Sequence, residues 1–194
     1  MVTTFLPYED FVLSVRVLDN ARLGKQRLEA NQIIKILEVL DEGNSVGKRG
    51  YSNHPATKMW IGYTDALKVY YNTVIEEWIR RGYNNSMETY EDLPKKIKMP
   101  WWLGNVDFHK SHQASLVRKN EEFYSKKFPD LEVKYLKLGY VWPISEGVIE
   151  FAEITYKADK KLTGEKIKNP LTGRMIAIGG KVYNELVGKG FIKK

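Results

Sequence analysis

Asp19 to Asp41 reads DNARLGKQRLEANQIIKILEVLD, and this stretch decides the fold. Leu23, Ala30, Ile33, Ile34, Leu37 and Leu40 recur at three- and four-residue steps, the period of a helix with one apolar side. Asp19 stands where an N-cap belongs, and Asp41, Glu42, Gly43 and Asn44 lead the chain out again. Gly24 lies inside the pattern, where it costs about 1 kcal/mol in helix propensity and so needs a reason. Arg22, Gln26 and Glu29 fall on a stripe opposite the apolar one, flanked by Lys25 and Arg27, with Arg16 just upstream. Cations gathered round one carboxylate suit a helix that contacts phosphates. An ordinary solvated helix face has the same composition.

Working outward, the spacing predicts a second helix from about Pro55 to Arg81, with Trp60, Tyr63, Leu67, Tyr70, Val74 and Trp78 as an aromatic-rich stripe. Arg80 and Arg81 suit its negative end, and Gly82 stops it. A third helix is expected over roughly Ser111 to Lys127. Between them, Leu93 to Asn105 holds Trp101-Trp102 and reads as an ordered loop, since tryptophans seldom stay in water. Of Trp101, Trp102, Tyr140 and Trp142, most are expected in the core; any left exposed could stack on unpaired bases. Beyond Pro143 the style changes to a β-prone run, a lysine-rich stretch and a glycine-rich end. The expected architecture is mainly α: a compact three-helix domain over residues 1–144 and a small α/β or irregular extension over 145–194.

The 194 residues and a hydrophobic share of 43% suffice for one good core. A net charge of +7 suits a polyanionic partner, and also plain solubility. Residues 1–144 carry 21 Lys and Arg against 18 Asp and Glu, and residues 145–194 carry 10 against 6, so the tail is more basic for its length. The absence of cysteine excludes a thiolate nucleophile, a disulfide framework and a cysteine-ligated zinc. No apolar run approaches the roughly 20 residues that span a bilayer, and Met1 to Pro7 lacks the zones of a signal peptide. We therefore expect an intracellular protein with no membrane association. His54, His109 and His112 do not form a metal-binding pattern; hydrogen-bonding or capping roles are expected, with no metal. Gly43 to Arg49 has the wrong spacing for a phosphate loop and reads as a basic surface loop.

A family resemblance gathers these residues together. Thr4-Phe5-Leu6-Pro7-Tyr8, Arg16-Val17-Leu18-Asp19, Arg22-Leu23-Gly24-Lys25-Gln26-Arg27 and Asn53-His54-Pro55 with Met59-Trp60 and Gly62-Tyr63 are similar to the cellular branch of the pyrimidine-dimer DNA glycosylase (endonuclease V) family. So are Glu77-Trp78, Arg81-Gly82-Tyr83, Trp102-Leu103-Gly104, Phe108-His109, Ser111-His112 and Tyr140-Val141-Trp142-Pro143, in order over about residues 1 to 143. The resemblance implies a helical domain that grips and kinks duplex DNA, flips a base out, and needs no cofactor. It implies a nucleophile in the α-amine exposed when the initiator methionine is removed, here that of Val2, assisted by a carboxylate of the first long helix. An α-amine has a pKa near 8, so an appreciable fraction is neutral at neutral pH. Aligned on Arg22, Leu23 falls where the family glutamate is expected; a shifted alignment offers Gln26 or Glu29, of which Glu29 is the acid on the matching face. Arg16, Arg22, Lys25, Arg27, Arg118 and Lys119 are the expected DNA contacts.

In the tail, Asn169-Pro170-Leu171-Thr172-Gly173-Arg174-Met175-Ile176 with Gly179-Gly180-Lys181-Val182-Tyr183 resembles a short adaptor motif of large double-stranded DNA virus proteins. It implies a protein partner or docking on the main domain. Three functions fit these residues: a glycosylase and abasic-site lyase, a non-catalytic DNA-binding or packaging protein on the same fold, and a virion-associated structural or adaptor protein.

Overall fold

The computed structural model describes residues 3–47, 50–145, 147–151, 166–168, 175–177 and 187. The chain divides into two compact units, Met1–Ile154 and Thr155–Lys194. The first is mainly helical: α1 (Phe11–Arg16), α2 (Asn20–Asp41), α3 (Pro55–Lys58), α4 (Thr64–Arg80), α5 (Val106–Lys119), α6 (Glu121–Tyr124) and α7 (Val133–Leu136), then a hairpin of β1 (Val141–Ser145) and β2 (Val148–Phe151). The hairpin is antiparallel, with Val141 opposite Phe151 and Trp142 opposite Glu150. In the second unit, β3 (Lys166–Lys168) and β4 (Met175–Ala177) form an antiparallel pair with Ile167 opposite Ile176. Apart from Met175 and Ile176, whose backbone belongs to β4, the adaptor-like motif lies outside the described residues.

Helix α2 starts where expected, the Asp19 carboxylate accepting the Arg22 N–H at 2.8 Å. Its apolar side, Leu23, Ala30, Ile33, Ile34 and Leu37, is buried against Leu67, Tyr70, Tyr71, Val74 and Ile75 of α4 in the same core. Gly24 now has its reason. A Cβ there would lie 3.0 Å from Cζ3 of Trp78, so the glycine lets α2 approach that ring closely.

The second expected helix is corrected: it is two helices. His54 caps α3 through its ring nitrogen, which accepts the Ala56 N–H at 3.1 Å, and Pro55 opens the helix. The chain then leaves helical geometry and turns at Gly62, whose φ of +78° is the left-handed region that glycine adopts without a steric penalty. The break frees Trp60 to sit wholly buried, edge-on to Trp102, with its indole N–H donated to Thr4 Oγ1 at 3.0 Å. The third helix is corrected as well: Asn105 caps it, so it begins at Val106, and it ends at Asn120, whose extended backbone breaks the run while its side chain accepts the Phe123 N–H to start α6. Of the four aromatic residues expected mostly in the core, Trp102 lies within it, while Trp101, Tyr140 and Trp142 are half-buried and pack against it.

Arg81 does more than complement its own helix. Its guanidinium bonds the Glu77 carboxylate at 2.7 Å and also donates to the carbonyls of Val15, Arg16 and Leu18. These carbonyls lie at and just beyond the end of α1, where intrahelical donors run out, so one cation joins α1 to α4. Arg80 and Arg81 hold the buried Glu77 carboxyl below its usual pKa, Arg80 by the larger effect.

Candidate active site

The N-terminal segment from Thr3 to Pro7 is buried without belonging to a sheet. Buried backbone amides and carbonyls need partners, and here side chains supply them. Gln26 donates from Nε2 to the Thr3 carbonyl at 2.8 Å and accepts the Phe5 N–H on Oε1 at 2.8 Å, much as a neighbouring strand would. Tyr70 donates its hydroxyl to the same Oε1 at 2.8 Å and to the Phe5 carbonyl at 3.0 Å. One turn along α5, His112 Nδ1 accepts the Leu6 N–H at 3.2 Å, His109 Nδ1 lies 2.8 Å from the Leu6 carbonyl, and Gln113 donates to the Pro7 carbonyl at 2.8 Å.

The partners set the tautomers. His109 Nε2 accepts the Gly104 N–H at 2.9 Å, so its proton is on Nδ1 and faces Leu6. His112 accepts through Nδ1, so its proton is on Nε2, which is buried with no hydrogen-bond partner. Burial, with a smaller contribution from His109, pulls the His112 pKa down to about 3. Both rings are structural, as is His54.

Glu29 closes the arrangement. Its Oε2 accepts the Thr3 N–H at 3.3 Å and the Gln26 side-chain N–H at 3.1 Å, while Lys25 Nζ stands 3.5 Å from Oε1. Burial raises its pKa, and the Thr3 N–H and Lys25 oppose the rise. A carboxyl so placed holds its proton to higher pH than an exposed one, which suits proton transfer. Beside it opens a cavity of about 260 Å³ lined by Thr3, Phe5, Arg22, Lys25, Glu29 and Lys119, with Ala21, Gln26 and Tyr140 completing the wall. Burial pushes the Tyr140 hydroxyl up to about 12, so it is an uncharged donor there.

The structure corrects the reading of the α2 stripe as an ordinary solvated face. Gln26 and Glu29 are 1% and 7% exposed because the N-terminal segment covers them. Arg22, Lys25, Gln26, Glu29 and Lys119 come together round the cavity. Arg22 pairs with Asp19, lies 5.4 Å from the centre of the Tyr124 ring, and keeps a buried Nε without a partner. The other expected contacts stand elsewhere. Arg16 is exposed near Glu77; Arg27 lies 4.0 Å over the Trp78 ring and donates to Asn85; Arg118 donates to the carbonyls of Tyr135, Leu136 and Leu138. Val2 lies outside the described residues. No group of three or more metal-ligating side chains occurs among the described residues, and no helix there is long and apolar enough to cross a membrane.

Gln26→Ala is expected to strand the Thr3 carbonyl and the Phe5 N–H in the interior, at a cost of about 3 kcal/mol. Urea unfolding measures the loss. Hydrogen exchange should show the Phe5 amide deprotected well beyond the global change; unchanged exchange at Phe5 would mean that Gln26 is not the clamp.

Residues 2–91 match the family model described as pyrimidine dimer DNA glycosylase. The match supports that family and takes in the N-terminal segment, α2 and α4, with every described residue of the cavity except Lys119 and Tyr140. The chain matches none of the curated proteins and none of the solved structures compared with it.

Proposed function

We propose that this protein binds duplex DNA and acts as a pyrimidine-dimer glycosylase and abasic-site lyase, through the α-amine that Val2 presents once Met1 is removed. The observation that carries the proposal is the Thr3 N–H held 3.3 Å from the Glu29 carboxylate. Three covalent bonds separate the Val2 amine from that nitrogen, a span short enough to support an amine acting on a nucleotide in the cavity. The amine attacks C1′ of the damaged nucleotide and displaces its base. The C1′–O4′ bond of the sugar ring then opens, O4′ taking a proton, and the imine left at C1′ acidifies C2′, so that the strand breaks by β-elimination. Glu29 is the group that carries protons, and Gln26 is a positioning residue. Arg22, Lys25 and Lys119 bring three positive charges to a cavity with one acid, which suits phosphates flanking a flipped nucleotide. Residues 1–144 constitute the DNA-binding part in this reading, and the basic extension 145–194 recruits a protein partner; a DNA substrate places the protein inside cells.

The test is incubation of the full-length protein with duplex carrying a thymine dimer or an abasic site, with binding followed across salt concentrations. Strand cleavage leaving an unsaturated aldehyde on the 3′ end is expected, with affinity falling steeply as salt rises. Salt-sensitive binding without cleavage would replace this reading with a non-catalytic DNA-binding or packaging protein on the same fold. Absence of binding at low salt would overturn DNA recognition altogether and favour a structural role.

A further inference from the structure

Lys119 is the cation of this cavity with the least to hold it. Lys25 faces Glu29 and Arg22 pairs with Asp19. Lys119, at the last position of α5, forms no hydrogen bond or ion pair with the described residues; its ammonium lies 6.0 Å from the centre of the Phe5 ring, at the solvent-accessible edge of the cavity. An amine with no carboxylate partner keeps its Nζ free to react, and this one shares its cavity with an acid able to carry the protons of imine formation.

We propose that Lys119 is a second nucleophile of the cavity, its Nζ forming an imine with the C1′ aldehyde of a ring-opened abasic deoxyribose. The inference rests on the lyase reading and adds to it an amine that needs no processing of the chain. Loss of water around the ammonium lowers its pKa, and the charges of Arg22 and Lys25 lower it further while Glu29 acts against them. More of the amine is therefore neutral, and nucleophilic, than for a lysine far from other cations.

The reaction balances with the groups present. Neutral Nζ adds to C1′, making the C–N bond of a carbinolamine. Glu29 gives its proton to the departing hydroxyl, which leaves as water, and a protonated imine stays behind. The ionised Glu29 then removes a proton from C2′. The electron pair forms the C2′–C3′ double bond as the C3′–O bond breaks, and the phosphate leaves on the downstream strand. Water hydrolyses the imine, restoring Lys119 and releasing the unsaturated aldehyde.

To test this, the full-length protein is incubated with abasic duplex and borohydride, which reduces the imine to a stable amine, and the adduct is mapped by peptide mass spectrometry. We expect an adduct on Lys119 at least about tenfold more abundant than any on Lys25 or Lys110. Lys119→Arg should lose that adduct while any adduct on the N-terminal residue persists. Adducts spread evenly over these lysines would overturn the inference. An adduct confined to the N-terminal residue would also overturn it, while leaving the lyase reading standing; no adduct on any amine, with no strand cleavage, would remove the lyase reading itself.

Discussion

Between about pH 7 and about pH 5 the protein is expected to lose about 2 kcal/mol of stability through His112 alone. The folded ring is sealed among Phe5, Phe108 and Tyr140, accepts the Leu6 N–H, and resists a second proton until about pH 3. In the unfolded chain the same ring takes that proton near pH 6.5. Over that interval the unfolded state binds more protons, so stability falls as pH falls and is recovered as it rises. His54 and His109 are also held below the usual imidazole value, burial being the larger cause in each, and they add in the same direction. Glu29, with its raised pKa, acts oppositely: its contribution diminishes as pH rises above the ordinary carboxylate value. The measurement is urea unfolding of wild type and His112→Asn at the two pH values. Asn offers an acceptor for Leu6 without a titrating ring, so the variant, though weaker at neutral pH through lost packing, should show a pH loss smaller by about 2 kcal/mol. Equal losses in both proteins would mean that His112 is protonated in the folded state.

Glu29→Gln is expected to reduce strand cleavage of dimer or abasic duplex by about 10²- to 10⁴-fold, the range for removal of a general acid-base group. Duplex affinity should change by less than about tenfold, because the phosphate-facing cations stay in place. Gln can still accept the Thr3 N–H at its amide oxygen, so the clamp on the N-terminal segment survives and the comparison isolates proton transfer. A parallel fall in binding and cleavage would make Glu29 a structural acid. Unchanged cleavage would remove it from the mechanism and reopen the search for the proton carrier.

Much of the helical frame was legible because local chemistry set it. Asp19 caps α2 as its position implied, and Gly82 at φ +84° ends the run of α4. The failures have local causes too. Gly62 lies inside a convincing aromatic period, yet its left-handed turn separates α3 from α4; Asn120 ends α5 and caps α6 instead. Periodicity rewards continuous apolar spacing and overlooks one residue with a different backbone preference.

By itself, the chain's order of residues determined a mainly helical body, the extent of α2, the presence of Gln26 and Glu29 one turn apart, and an excess of positive charge. Only the tertiary structure decided that these two polar side chains lie inside, under a segment with no strand partner, and that Lys119 reaches their cavity while Arg16, Arg27 and Arg118 do not. The reason is that a helical period reports which residues share a face but not what covers that face. Gln26 and Glu29 are polar because they replace the hydrogen bonds that Thr3 and Phe5 would otherwise make to water, a demand set by residues more than 20 positions away.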